Sequence, residues 1–282
     1  MLTPTGELVA EARAAGVGLA AFNVITVEHA EAIVAGAEAV GAPVILQISQ
    51  NAVRFHRGRL APIAAAARAV GDAAEVPVAL HLDHVEDEVL LAEAAGCGFH
   101  SVMFDASRLP YEQNVAATAR AVAACHAQGL WVESELGEVG GKEGAHAPGV
   151  RTDPAEAAAF TAATGVDALA VAVGSSHAMT SRTARLDHLL ISALRAAVPV
   201  PLVLHGSSGV PDAELTAAVA AGIVKVNIGT ALNTAFTGAI RSKLAADPSV
   251  VDPRKYLDPA RDAMSATVRE LIGLLGQPGR GV

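Results

Sequence analysis

Pro77-Val78-Ala79-Leu80-His81-Leu82-Asp83-His84 is the stretch whose reading decides the fold. Residues Pro77–Leu82 form a short run that is apolar at almost every position, so both faces of the strand it predicts must be covered. The next segment, Val85–Ala95, has the length and Ala/Glu content of a helix. The same unit recurs along the chain. Strands are expected at Leu19–Val24, Pro43–Ser49, Ser101–Asp105, Leu130–Glu135, Ala168–Val173, Pro201–His205 and Ile223–Ile228, and helices between them at Val27–Val40, Arg59–Val70, Glu112–Gln128 and Pro154–Thr164. Buried strands alternating with helices indicate a parallel sheet. Eight units without a break in composition predict an α/β protein of the (β/α)₈ TIM-barrel type, one domain over residues 1–282, where a doubly wound sheet would have fewer units. Residues 248–282 read as a helical extension, with a helix over Pro259–Leu275 that either closes the barrel bottom or packs on a partner subunit.

The bulk properties fit this reading. A single barrel takes about 250 residues, and the chain has 282, of which 52% are hydrophobic and 17% charged. Aromatic residues make up only 3%, so Ala, Val and Leu must fill the core through close helix–sheet contacts. The net charge of −9 opposes non-specific nucleic-acid binding, but backbone N–H groups can still bind a phosphate inside an acidic protein. Cys97 and Cys125 have no CxxC relationship and read as small buried hydrophobes. With no signal-peptide pattern and no membrane-length apolar run, the expected location is the cytoplasm.

Polar side chains gather at the carboxyl ends of the strands: Asn23, Ser49, Asp83 with His84, Asp105, Glu135, His177, His205 and Asn227. On a barrel these ends form one mouth, where active sites are built. Strand alternation puts His81 and Asp83 on one face, and His84 joins them only if the chain bends as it leaves the strand. Histidines after strands 3, 6 and 7, in His81-Leu82-Asp83-His84, Gly174-Ser175-Ser176-His177 and Leu204-His205-Gly206, make a His₃ set with an open fourth position, as in catalytic zinc sites. The alternative is three separately hydrogen-bonded histidines. Glu133 and Glu135 both point inward, which is costly unless a metal, an arginine or a proton compensates. Gly140-Gly141-Lys142-Glu143-Gly144 reads either as a loop that delivers Glu143 as a base or as a solvated charged loop. Gly206-Ser207-Ser208-Gly209 and Asn227-Ile228-Gly229-Thr230 follow strands 7 and 8, the usual barrel phosphate site.

Taken in order, these motifs resemble the class II fructose-bisphosphate/tagatose-bisphosphate aldolase family. The resemblance runs from Ala21-Phe22-Asn23 to about Met264, through Ser101-Val102-Met103-Phe104-Asp105-Ala106-Ser107, Glu133-Ser134-Glu135-Leu136-Gly137 and Lys225-Val226-Asn227-Ile228. It implies zinc on His84, His177 and His205, with Glu135 as an alternate ligand. Asp83 becomes the acid/base at the aldehyde oxygen, and Glu143 the base that removes the ketone's α-proton. Ser208 and Thr230, with N–H groups around Ala178, Gly206 and Gly229, would bind the dihydroxyacetone-phosphate phosphate, and a monovalent cation would sit near Ala178. Asn23, Ser49 and Asn227 complete the substrate pocket. Arg254, in Asp252-Pro253-Arg254, would reach a distal phosphate, often in a neighbouring subunit. A homodimer or homotetramer acting on a phosphorylated sugar, with no nucleic-acid or membrane partner, is the corresponding expectation.

The implied reaction breaks the C3–C4 bond of a ketose bisphosphate, with zinc as the Lewis acid that stabilises the enediolate. Apart from Lys225, which belongs to the family pattern without that role, no lysine occupies an inward strand position suited to a Schiff base. Some positions depart from the pattern: Ala178 stands where Gly is general, Lys142 where an acid or Gln is usual, Ser207 where Ala or Gly is, and Gly229 lacks the acidic side chain of some fructose-bisphosphate enzymes. The last leans toward the tagatose-type branch. Two other readings are an aldolase for another phosphorylated ketose, such as a deoxy- or sulfo-sugar, and a non-catalytic phosphosugar-binding subunit.

Overall fold

The computed structural model describes residues 1–136, 150–176 and 181–277. In chain order its elements are α1 (Thr5–Ala15), β1 (Leu19–Asn23), α2 (Val27–Glu38), β2 (Val44–Ser49), α3 (Gln50–Phe55), α4 (Leu60–Ala73), β3 (Val78–Val85), α5 (Glu88–Glu93), β4 (Ser101–Phe104), α6 (Tyr111–His126), β5 (Trp131–Leu136), α7 (Pro154–Thr164), β6 (Ala168–Val171), α8 (His188–Ala197), β7 (Leu202–Leu204), α9 (Asp212–Ala221), β8 (Ile223–Ile228), α10 (Thr230–Ala246) and α11 (Arg254–Leu274). The strands close in sequence order into a parallel barrel, with β1 paired to both β2 and β8.

Strand alternation divides the core in two. Outward residues such as Leu46, Ile48, Leu80, Leu82 and Val226 are buried under the helices, each large aliphatic side chain contributing about 1.5–3 kcal/mol. Small residues let the layers approach: a Cβ on Gly36 of α2 would lie 2.7 Å from Val268 of α11. Inward residues form the barrel's own filling. At its amino end Leu8, Val9 and Ala12 of α1 pack on Leu19, Ala21, Ile45, Ala79 and Val224. The bottom is therefore closed by α1, while α11 lies against α2 and α10 and reaches the start of β1, where the Gly18 amide donates to the Leu275 carbonyl at 2.8 Å.

Several boundaries differ from the sequence reading for identifiable reasons. β3 runs on to Val85, so the expected helix at Val85–Ala95 shortens to α5, which begins where Asp87 accepts the Val89 amide at 2.9 Å. α11 begins five residues before Pro259. Just before it Asp252 accepts the Arg254 amide at 3.0 Å, and Pro259 stays inside the helix at the cost of one backbone hydrogen bond. Among the described residues no helix is long and apolar enough to cross a membrane.

Candidate active site

The carboxyl ends of the strands open into a cavity of about 760 Å³. β3 supplies its centre. His84 has φ 50° and the β3–β4 register shifts between Leu82 and Val85. This is the bend that lets Asp83 and the next residue share one cavity; a non-glycine residue holds the left-handed region only where its surroundings fix it. His84 Nδ1 lies 2.9 Å from Asp105 Oδ2, while Asp105 Oδ1 accepts the Ser107 hydroxyl at 2.7 Å. A carboxylate on Nδ1 fixes the imidazole tautomer and leaves Nε2 for a ligand; that atom is 3.9 Å from Asp83 Oδ2.

Across the barrel, His205 is fully buried. Its Nε2 is 2.8 Å from Glu133 Oε1, and its Nδ1 3.2 Å from Glu135 Oε2. The rings of His84 and His205 meet edge to face at 4.7 Å. Asp83, His84 and His205 present ligand atoms within 4.8 Å of one another, as do His84, Asp105 and Glu135. Burial works against a charged imidazole, yet the two glutamates raise His205 to about 9. Positive charge is thus favoured at this point, which with the nitrogen and oxygen donors suits a transition-metal cation.

Lys225 answers the cost of two buried carboxylates. Its ammonium lies 2.8 Å from Glu133 Oε2 and donates to Asn227 Oδ1 at 2.7 Å, with the lysine and glutamate side chains both fully buried. Burial alone would raise Glu133, but Lys225 and His205 bring it down to about 2. Strand alternation turns Lys225 inward beside Asn227, with its side chain paired to Glu133. Below it, burial lowers His81 first and Lys225 adds to the effect; His81 Nδ1 meets Ser101 Oγ at 2.8 Å, which meets Thr5 Oγ1 at 2.6 Å. Asp83 is 2% exposed. Burial would raise it, but His84, His81 and His205 together hold it well below the usual carboxylate range. Asn227 Nδ2 approaches its Oδ1 at 3.4 Å.

The loops after β7 and β8 form the opposite rim. Gly206 has φ 66°, and a Cβ there would lie 2.6–2.9 Å from the Ser176 backbone, so only glycine lets these two loops touch. The unusual Ser207 is buried and donates to the Asn227 carbonyl at 2.5 Å, tying one rim loop to the next strand. Ser208 Oγ accepts the Ala231 amide in the first turn of α10. A Cβ on Gly229 would lie 3.1 Å from Asn23 Cγ; the missing side chain there leaves room for Asn23, which accepts from Gln47 at 2.5 Å.

Asn23, Ser49, Asp83, His84, Gly206, Ser208, Asn227, Gly229 and Thr230 therefore line one cavity, and Glu135 and His205 lie buried at the same metal-type clusters. Arg254 is not among the lining residues; its side chain is 89% exposed and bonded to Asp252. Glu143, Lys142, His177 and Ala178 lie outside the described residues. Sequence reasoning assigned no role to Asp105, Gln47, Arg54, Glu86 or Arg108. Asp105 carried a signal, since it ends a strand beside the one bearing His84.

The family model for class II fructose-bisphosphate aldolase matches residues 3–280. The chain belongs to the class II fructose-bisphosphate aldolase family. It is accordingly an aldolase, a lyase of carbohydrate metabolism, from a family that is generally metal-dependent and takes phosphorylated sugars. Fructose-bisphosphate aldolase of Thermus caldophilus is 38% identical over 99% of this chain and 100% of its own. That of Geobacillus stearothermophilus is 39% identical over 97% and 96%. Among solved structures, the YdjI aldolase of Escherichia coli K12 superposes with a TM-score of 0.86 at 30% identity, with both chains covered completely.

Proposed function

We propose that this chain is a zinc-dependent aldolase that reversibly cleaves a ketose bisphosphate, fructose- or tagatose-1,6-bisphosphate, to dihydroxyacetone phosphate and an aldehyde. The observation that carries the reading is Asp83: a buried carboxylate, held ionised, between two histidines whose outer nitrogens are fixed by Asp105 and Glu133. His84 through Nε2 and His205 through Nδ1 would hold the ion, with His177 as third ligand and Glu135 as the alternate one. Zinc, when bound, supplies a Lewis acid that draws off the negative charge developed as the C3–C4 bond breaks.

The chain's own residues do the rest. Asp83 takes the C4 hydroxyl proton in cleavage, the C4–O bond becomes a carbonyl, and the electron pair of C3–C4 passes to the ketone half. Glu143 delivers a proton to C3 and removes it in the reverse direction. Ser208, Thr230 and the amides around Ala178, Gly206 and Gly229 bind the ketone-end phosphate where α10 begins, with a monovalent cation beside Ala178. Asn23, Ser49 and Asn227 orient the carbon chain. The family reading extends to a homodimer or homotetramer in the cytoplasm, with Arg254 exposed toward a neighbouring subunit. Gly229, open to Asn23, keeps the tagatose-type sugar in play. Turnover of a panel of phosphorylated ketoses with zinc present tests the proposal. Selective cleavage of one bisphosphate is expected, and flat inactivity across the panel would favour a non-catalytic binding subunit.

A further inference from the structure

His81 is an inward histidine of β3 that neither the metal cluster nor the phosphate rim uses. It shares a strand face with Asp83 and lies between that carboxylate and the floor of the barrel. Its Nδ1 meets Ser101 Oγ at 2.8 Å, and Ser101 Oγ meets Thr5 Oγ1 of α1 at 2.6 Å; all three side chains are fully buried. Counting protons gives this relay a direction. Among the described residues Thr5 Oγ1 has no hydrogen-bond partner but Ser101, so its O–H donates there; the reverse arrangement would strand a buried proton. The Ser101 hydroxyl in turn donates to His81 Nδ1. Burial keeps the ring neutral, so its single proton sits on Nε2. That atom has no hydrogen-bond partner among the described residues, and it faces Asp83 Oδ1 at 3.7 Å.

Asn227 approaches the same oxygen. The Lys225 ammonium, which can only donate, takes Asn227 Oδ1 at 2.7 Å. The amide nitrogen is therefore the end that reaches Asp83 Oδ1, at 3.4 Å. Two N–H groups thus address Oδ1, each fixed by a partner of its own. Asp83 Oδ2 faces elsewhere, toward Nε2 of His84 at 3.9 Å, and His84 lines the open cavity.

We propose that His81 is a positioning residue: its Nε2–H, together with the Asn227 amide, holds Oδ1 of Asp83, so that Oδ2 is the oxygen that takes and returns the C4 hydroxyl proton. Thr5 of α1 thereby does more than plug the floor, because its hydroxyl sets the tautomer of His81 two hydrogen bonds away. The proposal rests on the aldolase reading for the role of Asp83.

Three measurements on the zinc-loaded protein test it. Nitrogen NMR with isotope-labelled histidine should show a neutral Nε2–H ring for His81, assigned by its absence from His81→Gln, and Thr5→Val should turn it into a mixture of tautomers. Cleavage of fructose- and tagatose-1,6-bisphosphate is then compared with hydrogen exchange at the hydroxymethyl carbon of dihydroxyacetone phosphate in heavy water, a half-reaction that uses Glu143 and not Asp83. His81→Phe should lower kcat for cleavage about 10- to 100-fold, the worth of a hydrogen bond to a charged group, with KM, zinc content and exchange unchanged. His81→Gln, which keeps an N–H for Asp83, should recover most of that loss, and Thr5→Val should show a smaller loss of the same kind. An Nδ1–H tautomer in wild type, equal losses in cleavage and exchange, or a glutamine variant no better than phenylalanine overturns the proposal. The expected tautomer in a wild type that cleaves neither bisphosphate would keep the hold on Asp83 and sink the aldolase reading instead.

Discussion

Replacing Lys225 by Met removes one charge from the driest part of the barrel and nearly preserves its volume. Lys225 and Glu133 are both fully buried at 2.8 Å, so neither solvent nor salt screens the pair. Without the ammonium, Glu133 keeps only His205, and a buried carboxylate left short of its partner costs about 3–5 kcal/mol. The shift of Glu133 from 4.5 to about 2 gives a consistent scale of roughly 3 kcal/mol, shared between Lys225 and His205. Equilibrium urea unfolding in the presence of chelator should show that loss. Adding Glu133→Gln to Lys225→Met removes the orphaned charge while leaving an oxygen for His205 Nε2–H. The double variant should recover most of the stability, giving a coupling of about 2–3 kcal/mol in the double-mutant cycle. A single-variant loss below about 1 kcal/mol, or two losses that simply add, would refute the view that this pair carries the two inward glutamates.

Asp105→Ala should lower zinc affinity about 10- to 100-fold in a chelator-competition titration, because His84 loses the carboxylate that fixes its tautomer; unchanged affinity would make Asp105 merely structural. Asp83→Asn should slow cleavage about 10²- to 10⁴-fold with zinc content unchanged, and loss of zinc instead would make Asp83 a ligand rather than the base. His100 gives the pH prediction. Burial lowers it first and Arg68 adds to this, and its Nδ1 accepts the Leu80 amide at 3.1 Å, which a proton there would prevent. Its folded-state pKa lies below 6.5, so the unfolded chain takes up a proton first; stability is full above 6.5 and is lost as pH falls from there through the lowered value. Thermal melts of His100→Gln should be less sensitive to pH in that window than wild type, and an identical slope would contradict this.

How much of this was legible in the chain depends on the range of each interaction. Strand order and the mouth were readable because apolar runs and strand-end polar residues repeat locally. The bend at His84 was foreseeable from alternation alone, since Asp83 and His84 cannot both face inward from a straight strand. Partners far apart in sequence were not. The Lys225–Glu133 pair spans 92 residues and the His84–Asp105 pair 21, and no local pattern announces either. The plug formed by α1 was hidden for the same reason, because Leu8, Val9 and Ala12 make an ordinary helix face until the barrel gives it a floor to fill. The start of α5 moved where a single side chain, Asp87, capped an amide that composition could not assign.

A chelation and reconstitution titration of ketose-bisphosphate cleavage tests metal dependence most directly. Activity should disappear as the metal is removed and return in proportion to added zinc with one ion per chain, and borohydride treatment with substrate should leave no lysine adduct. Cleavage that survives complete chelation, with a borohydride-trapped lysine, would contradict it.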